Sequence, residues 1–155
     1  MKKTKLKYFI EAFSDKIEFK DFYSLDGKGD GGSGDSFYKE LTKKYKYVYP
    51  KKMKTNTINN FIKIHKIKFP DLIKLDTQGS ELDILAGAST ILKKCKLVYI
   101  ECPIYNYNKN APTLDEYLIF MKKKGFKVTE IGEIHRRDDD KILQIDLLFF
   151  NQNFS

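Results

Sequence analysis

The 155-residue chain sets 29 Lys and Arg against 21 Asp and Glu, for a net charge of +8, and is 41% hydrophobic and 14% aromatic. That composition excludes a wholly disordered chain and suits one domain with an ordinary core. No window approaches the about 18 consecutive apolar residues of a membrane span, and the opening Met-Lys-Lys-Thr-Lys-Leu-Lys lacks the apolar stretch and small-residue cleavage site of a signal peptide. A cytoplasmic location is therefore expected.

In chain order, the pattern predicts strands over 7–12 and 17–23, a glycine-rich loop, a short helix over 36–44, a strand over 45–49 and a helix over 58–65. A strand over 72–76, a helix over 80–94, a strand over 97–101, a helix over 114–124 and strands over 127–134 and 143–150 follow. Alternating strands and helices imply an α/β sheet. The charged run His135-Arg136-Arg137-Asp138-Asp139-Asp140 reads as a hairpin that makes the last two strands antiparallel. It is expected to lie away from the carboxyl edge of the sheet, so His135 is not enlisted as a base.

Basic clusters at 2–3, 43–44, 51–52 and 122–124 are scattered along the chain. Tyr45, Tyr47 and Tyr49 interleave with Lys44 and Lys46, a pattern that suits base stacking beside phosphates and equally an ordinary strand with one wet face. The second reading is preferred, and nucleic acid is not an expected partner. Cys95 and Cys102 flank a predicted strand and would stand about 20 Å apart if extended at about 3.3 Å per residue, which is too far for a disulfide. No metal-ligand spacing links the cysteines or the two histidines.

The chemistry concentrates at 69–85. Leu72, Ile73 and Leu75 form a short apolar strand after Pro70, which ends on Asp76, turns through Thr77-Gln78-Gly79 and enters a helix. An α/β enzyme presents functional groups at such a place, the carboxyl edge of its sheet. The same residues serve equally well as helix caps, with Ser80 or Thr77 at the first turn and Glu81 facing the positive end of the helix dipole. Gly27-Lys28-Gly29-Asp30-Gly31-Gly32 satisfies the G-x-G-x-x-G pattern. However, the alternating segment before it suits a half-exposed strand, and Asp26, Asp30 and Asp35 would repel phosphate, so a surface loop is the better reading.

Residues 72–88, Leu-Ile-Lys-Leu-Asp-Thr-Gln-Gly-Ser-Glu-Leu-Asp-Ile-Leu-Ala-Gly-Ala, resemble the central signature of the FkbM-type methyltransferases. Further segments match in the family's order: 55–62 resembles the stretch leading into the signature, and Leu97-Val98-Tyr99-Ile100-Glu101 the next strand with its terminal glutamate. Residues 114–126 resemble a late helix ending in Gly-Phe, and 144–150 the last strand. The resemblance spans about residues 8 to 151. It implies a Rossmann-like methyltransferase sheet, mixed and with an antiparallel last pair, and an S-adenosylmethionine-dependent enzyme that methylates oxygen on a sugar or glycan precursor.

Relative to that family, the chain is expected to be a single domain over residues 1–155 that corresponds to the carboxy-terminal two thirds. Only Met1 to Lys7 precede the first matched strand, and the Asp-x-Gly-x-x-x-Gly turn that grips the cofactor is not among them. The expected consequence is a donor pocket completed by a second copy or by a partner supplying the first strands. An inactive methyltransferase remnant used as a binding or scaffold module is the alternative.

The resemblance places Asp76 beside the transferred methyl, orienting the cofactor or the substrate hydroxyl. Glu101 lies on the adjacent strand as a second catalytic carboxylate. Phe13, Asp15 and Gln78 join Asp76 as candidate cofactor contacts, with core packing the plainer role for Phe13. Glu81, Tyr105 and Asn106 are candidate substrate contacts, the last two in an aromatic and amide-rich loop suited to carbohydrate or simply a connector.

Overall fold

The computed structural model describes residues 6–25 and 34–154, so the glycine-rich stretch at 27–32 lies outside the described residues. Strands β1 (Phe19–Phe22) and β2 (Lys51–Lys54) pair antiparallel as a small two-stranded sheet. Helix α1 (Ile58–His65) follows, opened by Thr57, whose hydroxyl accepts from the Asn60 N–H at 3.1 Å, and closed by Lys66 in the left-handed conformation.

Strand β3 (Leu72–Leu75) leads to helices α2 (Glu81–Ala86) and α3 (Ser89–Leu92), then β4 (Leu97–Pro103), α4 (Leu114–Lys123), β5 (Phe126–Arg136) and β6 (Ile142–Asn151). These strands form a mixed sheet in the order β3-β4-β6-β5. The β3–β4 pair is parallel, and β6 runs antiparallel to both of its neighbours. Among the described residues the outer edge of β3 carries no strand.

Alternation along β4 sorts its two faces. Val98, Ile100 and Cys102 are buried against a core that includes Leu85, Ile91 and Leu92 of the signature helices and Tyr117 and Met121 of α4. Tyr99 and Glu101 point to the other face, where Asp146 of β6 stands opposite Glu101. Both cysteines are buried and free. No helix among the described residues is long and apolar enough to cross a membrane.

Four expectations need correction. Residues 7–12 are not a strand; the chain there makes a single parallel bridge, Phe13 to Asn56. Residues 36–44 do not form a helix, because their backbone is used elsewhere: Glu40 bridges to Asn108, the Leu41 N–H donates to the Tyr107 carbonyl at 2.7 Å, and the Lys109 N–H donates to the Lys39 carbonyl at 2.8 Å. Residues 45–49 are a turn after a short 3₁₀ segment (Lys43–Tyr45), with Tyr45 only 1% exposed. A buried Tyr45 removes the aromatic stripe on which base stacking depended.

The fourth correction is that the helix expected over 80–94 is two helices broken at Gly87-Ala88. The break frees the Gly87 carbonyl to accept from the Asn59 N–H in the first turn of α1 at 3.1 Å, so two helix ends satisfy each other.

Candidate active site

Leu75 and Ile100 are paired across the parallel β3–β4 ladder, and Asp76 and Glu101 are the next residue on each strand. Parallel pairing therefore delivers both carboxylates to the same edge. After Asp76 the chain reverses through Gln78 (φ 54°) and Gly79 (φ 102°). A side chain at Gly79 would meet the Ala111 methyl at 2.9 Å in a conformation that already disfavours one.

Glu81 holds this turn from beneath. It is 1% exposed, and its carboxylate accepts from the Thr77 N–H (2.8 Å), the Gly79 N–H (3.0 Å) and the Tyr117 hydroxyl (2.5 Å). Burial and the adjacent Glu81 raise the Tyr117 hydroxyl well above its ordinary pKa, which keeps it a donor.

Two clefts open on either side of the turn. The first, of about 500 Å³, is lined by Phe13, Phe22, Phe37, Asp76, Thr77 and Ser80, among others. The second, of about 630 Å³, is lined by Tyr45, Tyr105, Tyr107, Arg137, Leu143 and Gln144, with the Arg137 guanidinium 4.6 Å over the Tyr105 ring. Gln78 and Gly34 line both.

Gln78 is also the hub of a polar network. Its Nε2 donates to Glu101 Oε2 at 2.9 Å, the Tyr107 hydroxyl lies 2.6 Å from its Oε1, and Gln144 donates to Glu101 Oε1. The Tyr107 hydroxyl is 2.8 Å from Gln144 Oε1 as well. One phenolic proton cannot serve two amide oxygens. An ionised Glu101 requires both amides to donate to it and so leaves one amide oxygen unpaired. A protonated Glu101 donates to one amide and lets that amide turn its N–H₂ to Tyr107.

The electrostatics agree. Burial first, and then the carboxylates of Asp76, Glu81 and Asp146, push Glu101 up to about 7, against a smaller opposing pull from His135. Because the fold prefers the protonated form, this stabilising contribution is complete below the unfolded value near 4.5 and is lost as pH rises through about 7. The neutral variant Glu101→Gln should therefore be more stable than the parent by about 1 kcal/mol at pH 8, a figure reduced for the half-exposed side chain, and no more stable near pH 4.5. Urea melts at the two pH values, run in EDTA, check this; a shift of equal size at both would refute it.

The structure places Phe13, Asp76 and Gln78 on the first cleft and Gln78 and Tyr105 on the second, while Glu101 lines neither and shares a small polar pocket with Gln78, Glu81 and Asn106. Phe13 also fills the plainer role, with its ring edge-on to Phe61 at 5.1 Å. Asp15, Glu81 and Asn106 likewise line neither cleft. Asp15 accepts from the Ser14 hydroxyl and pairs with Lys16 at 3.9 Å, Glu81 lies under the turn, and the Asn106 amide ties its own loop to Ala111 and Asn108.

Tyr107 and Gln144 were missed, as was His135, and the expectation for His135 is corrected. Strand β5 is antiparallel to β6, which is antiparallel to β4, so β5 ends at the same edge as β4. The hairpin is beside the carboxylates, and one ligand atom each of Glu101, His135 and Asp146 lie within 4.8 Å of one another. Sequence spacing gave no sign of such a grouping.

The sequence matches the model of the methyltransferase FkbM domain over residues 4–128. The protein belongs to the FkbM methyltransferase family. No curated protein and no solved structure matches it. Within this FkbM domain, the matched span contains the Asp76 turn, Glu81, Glu101 and Tyr107, while Gln144 and Asp146 come from the strand beyond it.

Proposed function

We propose that this FkbM domain is an S-adenosylmethionine-dependent O-methyltransferase acting on a hydroxyl of a sugar or glycan precursor. The observation that carries the reading is that two ligand-sized clefts share Gln78, with Asp76 lining the first and Glu101 hydrogen-bonded to Gln78 behind the wall of the second. Both volumes fall in the usual range of about 300–1,000 Å³ for small-molecule sites. The parallel β3–β4 pair with its helical crossover, extended by the antiparallel β6, supports a Rossmann-like reading of the sheet.

The first cleft fits the methyl donor. Phe13, Phe22 and Phe37 offer flat apolar faces for a purine, and the exposed Asp76 offers negative charge for a sulfonium or an ammonium. The Ser80 hydroxyl, 2% exposed, and the Thr77 hydroxyl have no hydrogen-bond partner among the described residues and border this cleft, so they are donors in need of an acceptor. When bound, the cofactor supplies an electrophilic methyl group.

The chain's own contribution is alignment and proton handling. Asp76 orients the cationic end of the donor from its strand tip. Gln78, pinned by Glu101 and Tyr107, forms the partition across which the acceptor oxygen must face the donor, and alignment of this kind supplies about 7–11 kcal/mol of a transfer barrier. Tyr105 and Tyr107 present ring faces and the Gln144 amide presents hydrogen-bonding groups, a combination that suits a sugar in the second cleft. Glu101 connects to the second cleft through Gln78 and Gln144, and proton transfer from an acceptor hydroxyl would reach it by way of that network.

Calorimetry with S-adenosylmethionine on the purified chain tests the reading. Binding near one per chain is expected, weakened about tenfold, or ~1.4 kcal/mol, in Asp76→Asn. Absence of any binding heat in the parent would defeat it.

A further inference from the structure

We infer that Glu101, His135 and Asp146 form a binding site for a divalent first-row cation of the manganese or zinc type. The three groups come from three adjacent strands, β4, β5 and β6, and converge on the face of the sheet that the helices do not cover. One imidazole with two carboxylates is a mixed nitrogen and oxygen donor set, which suits manganese, iron or zinc better than an all-oxygen set would. Metal bonds near 2.0–2.2 Å require only a modest inward rotation from separations within 4.8 Å. The 39% exposure of the His135 side chain leaves room for water to complete the coordination sphere.

Two features of the site favour a cation. First, Asp146 is only 8% exposed, and the Tyr99 hydroxyl fixes its carboxylate by donating to Oδ2 at 2.9 Å. Second, none of Glu81, Glu101 and Asp146 forms an ion pair with any lysine or arginine among the described residues, although the chain carries an excess of eight positive charges. Buried carboxylates in such a chain are ordinarily paired or metal-bound.

The surroundings have the form of a supporting shell. Gln78 and Gln144 each donate to one oxygen of Glu101, which leaves a lone pair on each oxygen for a metal, and Tyr99 orients Asp146. Tyr99 reaches that position only because residue 132 is glycine: a side-chain carbon there would stand 2.1 Å from the Tyr99 hydroxyl.

The test is titration of the EDTA-stripped full chain with Mn²⁺ and, separately, Zn²⁺, followed by calorimetry and, for Mn²⁺, by loss of the free-ion paramagnetic signal. No methyl donor is added, so failure of the methyltransferase reading and failure of this one are separable. One cation per chain is expected, with affinity reduced at least tenfold in both His135→Ala and Asp146→Asn and unchanged in Asp139→Asn, a hairpin carboxylate outside the cluster. Far-ultraviolet circular dichroism confirms that each variant is folded, and His135→Ala, on an exposed strand, provides a readout if Asp146→Asn is not. Absence of binding in the parent, or equal affinity in His135→Ala and the parent, would overturn the inference.

Discussion

Replacing Glu81 with alanine is expected to lower the stability of this FkbM domain by about 3–5 kcal/mol, a large share of the 5–15 kcal/mol typical of a domain. The figure follows from what the carboxylate leaves behind. Two backbone donors, Thr77 N–H and Gly79 N–H, and the Tyr117 hydroxyl all point at it in a site that is 1% exposed. Each orphaned buried donor costs about 1–3 kcal/mol. The total is held below the simple sum because water can enter the space that the side chain vacates.

Companion variants separate these contributions. Tyr117→Phe removes one donor and leaves the carboxylate its two backbone partners, so a loss of about 1 kcal/mol is expected. Glu81→Gln must present an N–H₂ to at least one donor and should fall between the two. Chemical denaturation of the three variants checks the order; a Glu81→Ala loss no larger than that of Tyr117→Phe would show that the turn holds itself without the carboxylate.

Glu81 also shows what could be read from the chain in advance. Its proximity to the turn was legible, because strand, Thr-Gln-Gly and helix follow one another within a dozen residues, and the acid near a helix start has two ordinary roles. Burial decided between them, and burial depends on Tyr117, far along the chain. In the same way α1, β3, α4 and the β5–β6 hairpin were legible from local periodicity and turn chemistry. Residues 36–41 were not, since Ser36 pairs with Tyr23 and 39–41 pair with 107–109, contacts distant in sequence that override propensity.

Asp76 and Glu101 could be placed together because parallel neighbours end at one edge. His135 was misplaced because two successive antiparallel steps return β5 to that same edge, a count that needs the strand order. Asp146 and Gln144 did leave a signal that went unused. They are the two polar interruptions in the apolar run 142–150, and a polar residue inside a strand of that kind needs a partner across the sheet. The supports of the site therefore lie in positions where local pattern and chemistry disagree.

Gly87 is another such position, and Gly87→Ala sets two effects against each other. Gly87, the C-cap of α2, has a right-handed backbone (φ −71°, ψ −6°) that alanine can adopt, so the lower entropy of the unfolded chain favours alanine by about 0.4–1 kcal/mol. Packing opposes it, because an added methyl carbon would lie 2.2 Å from the Ser14 carbonyl oxygen and 3.2 Å from the Thr57 Cβ. The Ser14 oxygen belongs to backbone that is itself held, by the Ser14 N–H donating to the Asn56 carbonyl (2.9 Å) and the Asn56 N–H donating to the Ala12 carbonyl (2.8 Å). Relief of the clash must therefore move either 12–14 or the junction of α2 and α3.

Overpacking of this kind costs about 1–3 kcal/mol and occasionally more, and the involvement of backbone on both sides places the expected net loss at about 2–4 kcal/mol. If 12–14 is what yields, Phe13 moves with it, and the wall of the first cleft is displaced together with the fold. Urea denaturation of Gly87→Ala, paired with calorimetry for S-adenosylmethionine, then distinguishes the two. A stability loss with affinity intact locates the adjustment between α2 and α3, whereas loss of both locates it at Phe13. A variant as stable as the parent would mean that the Ser14 backbone gives way freely, and that the close approach of this segment to Gly87 does not hold the cleft in shape.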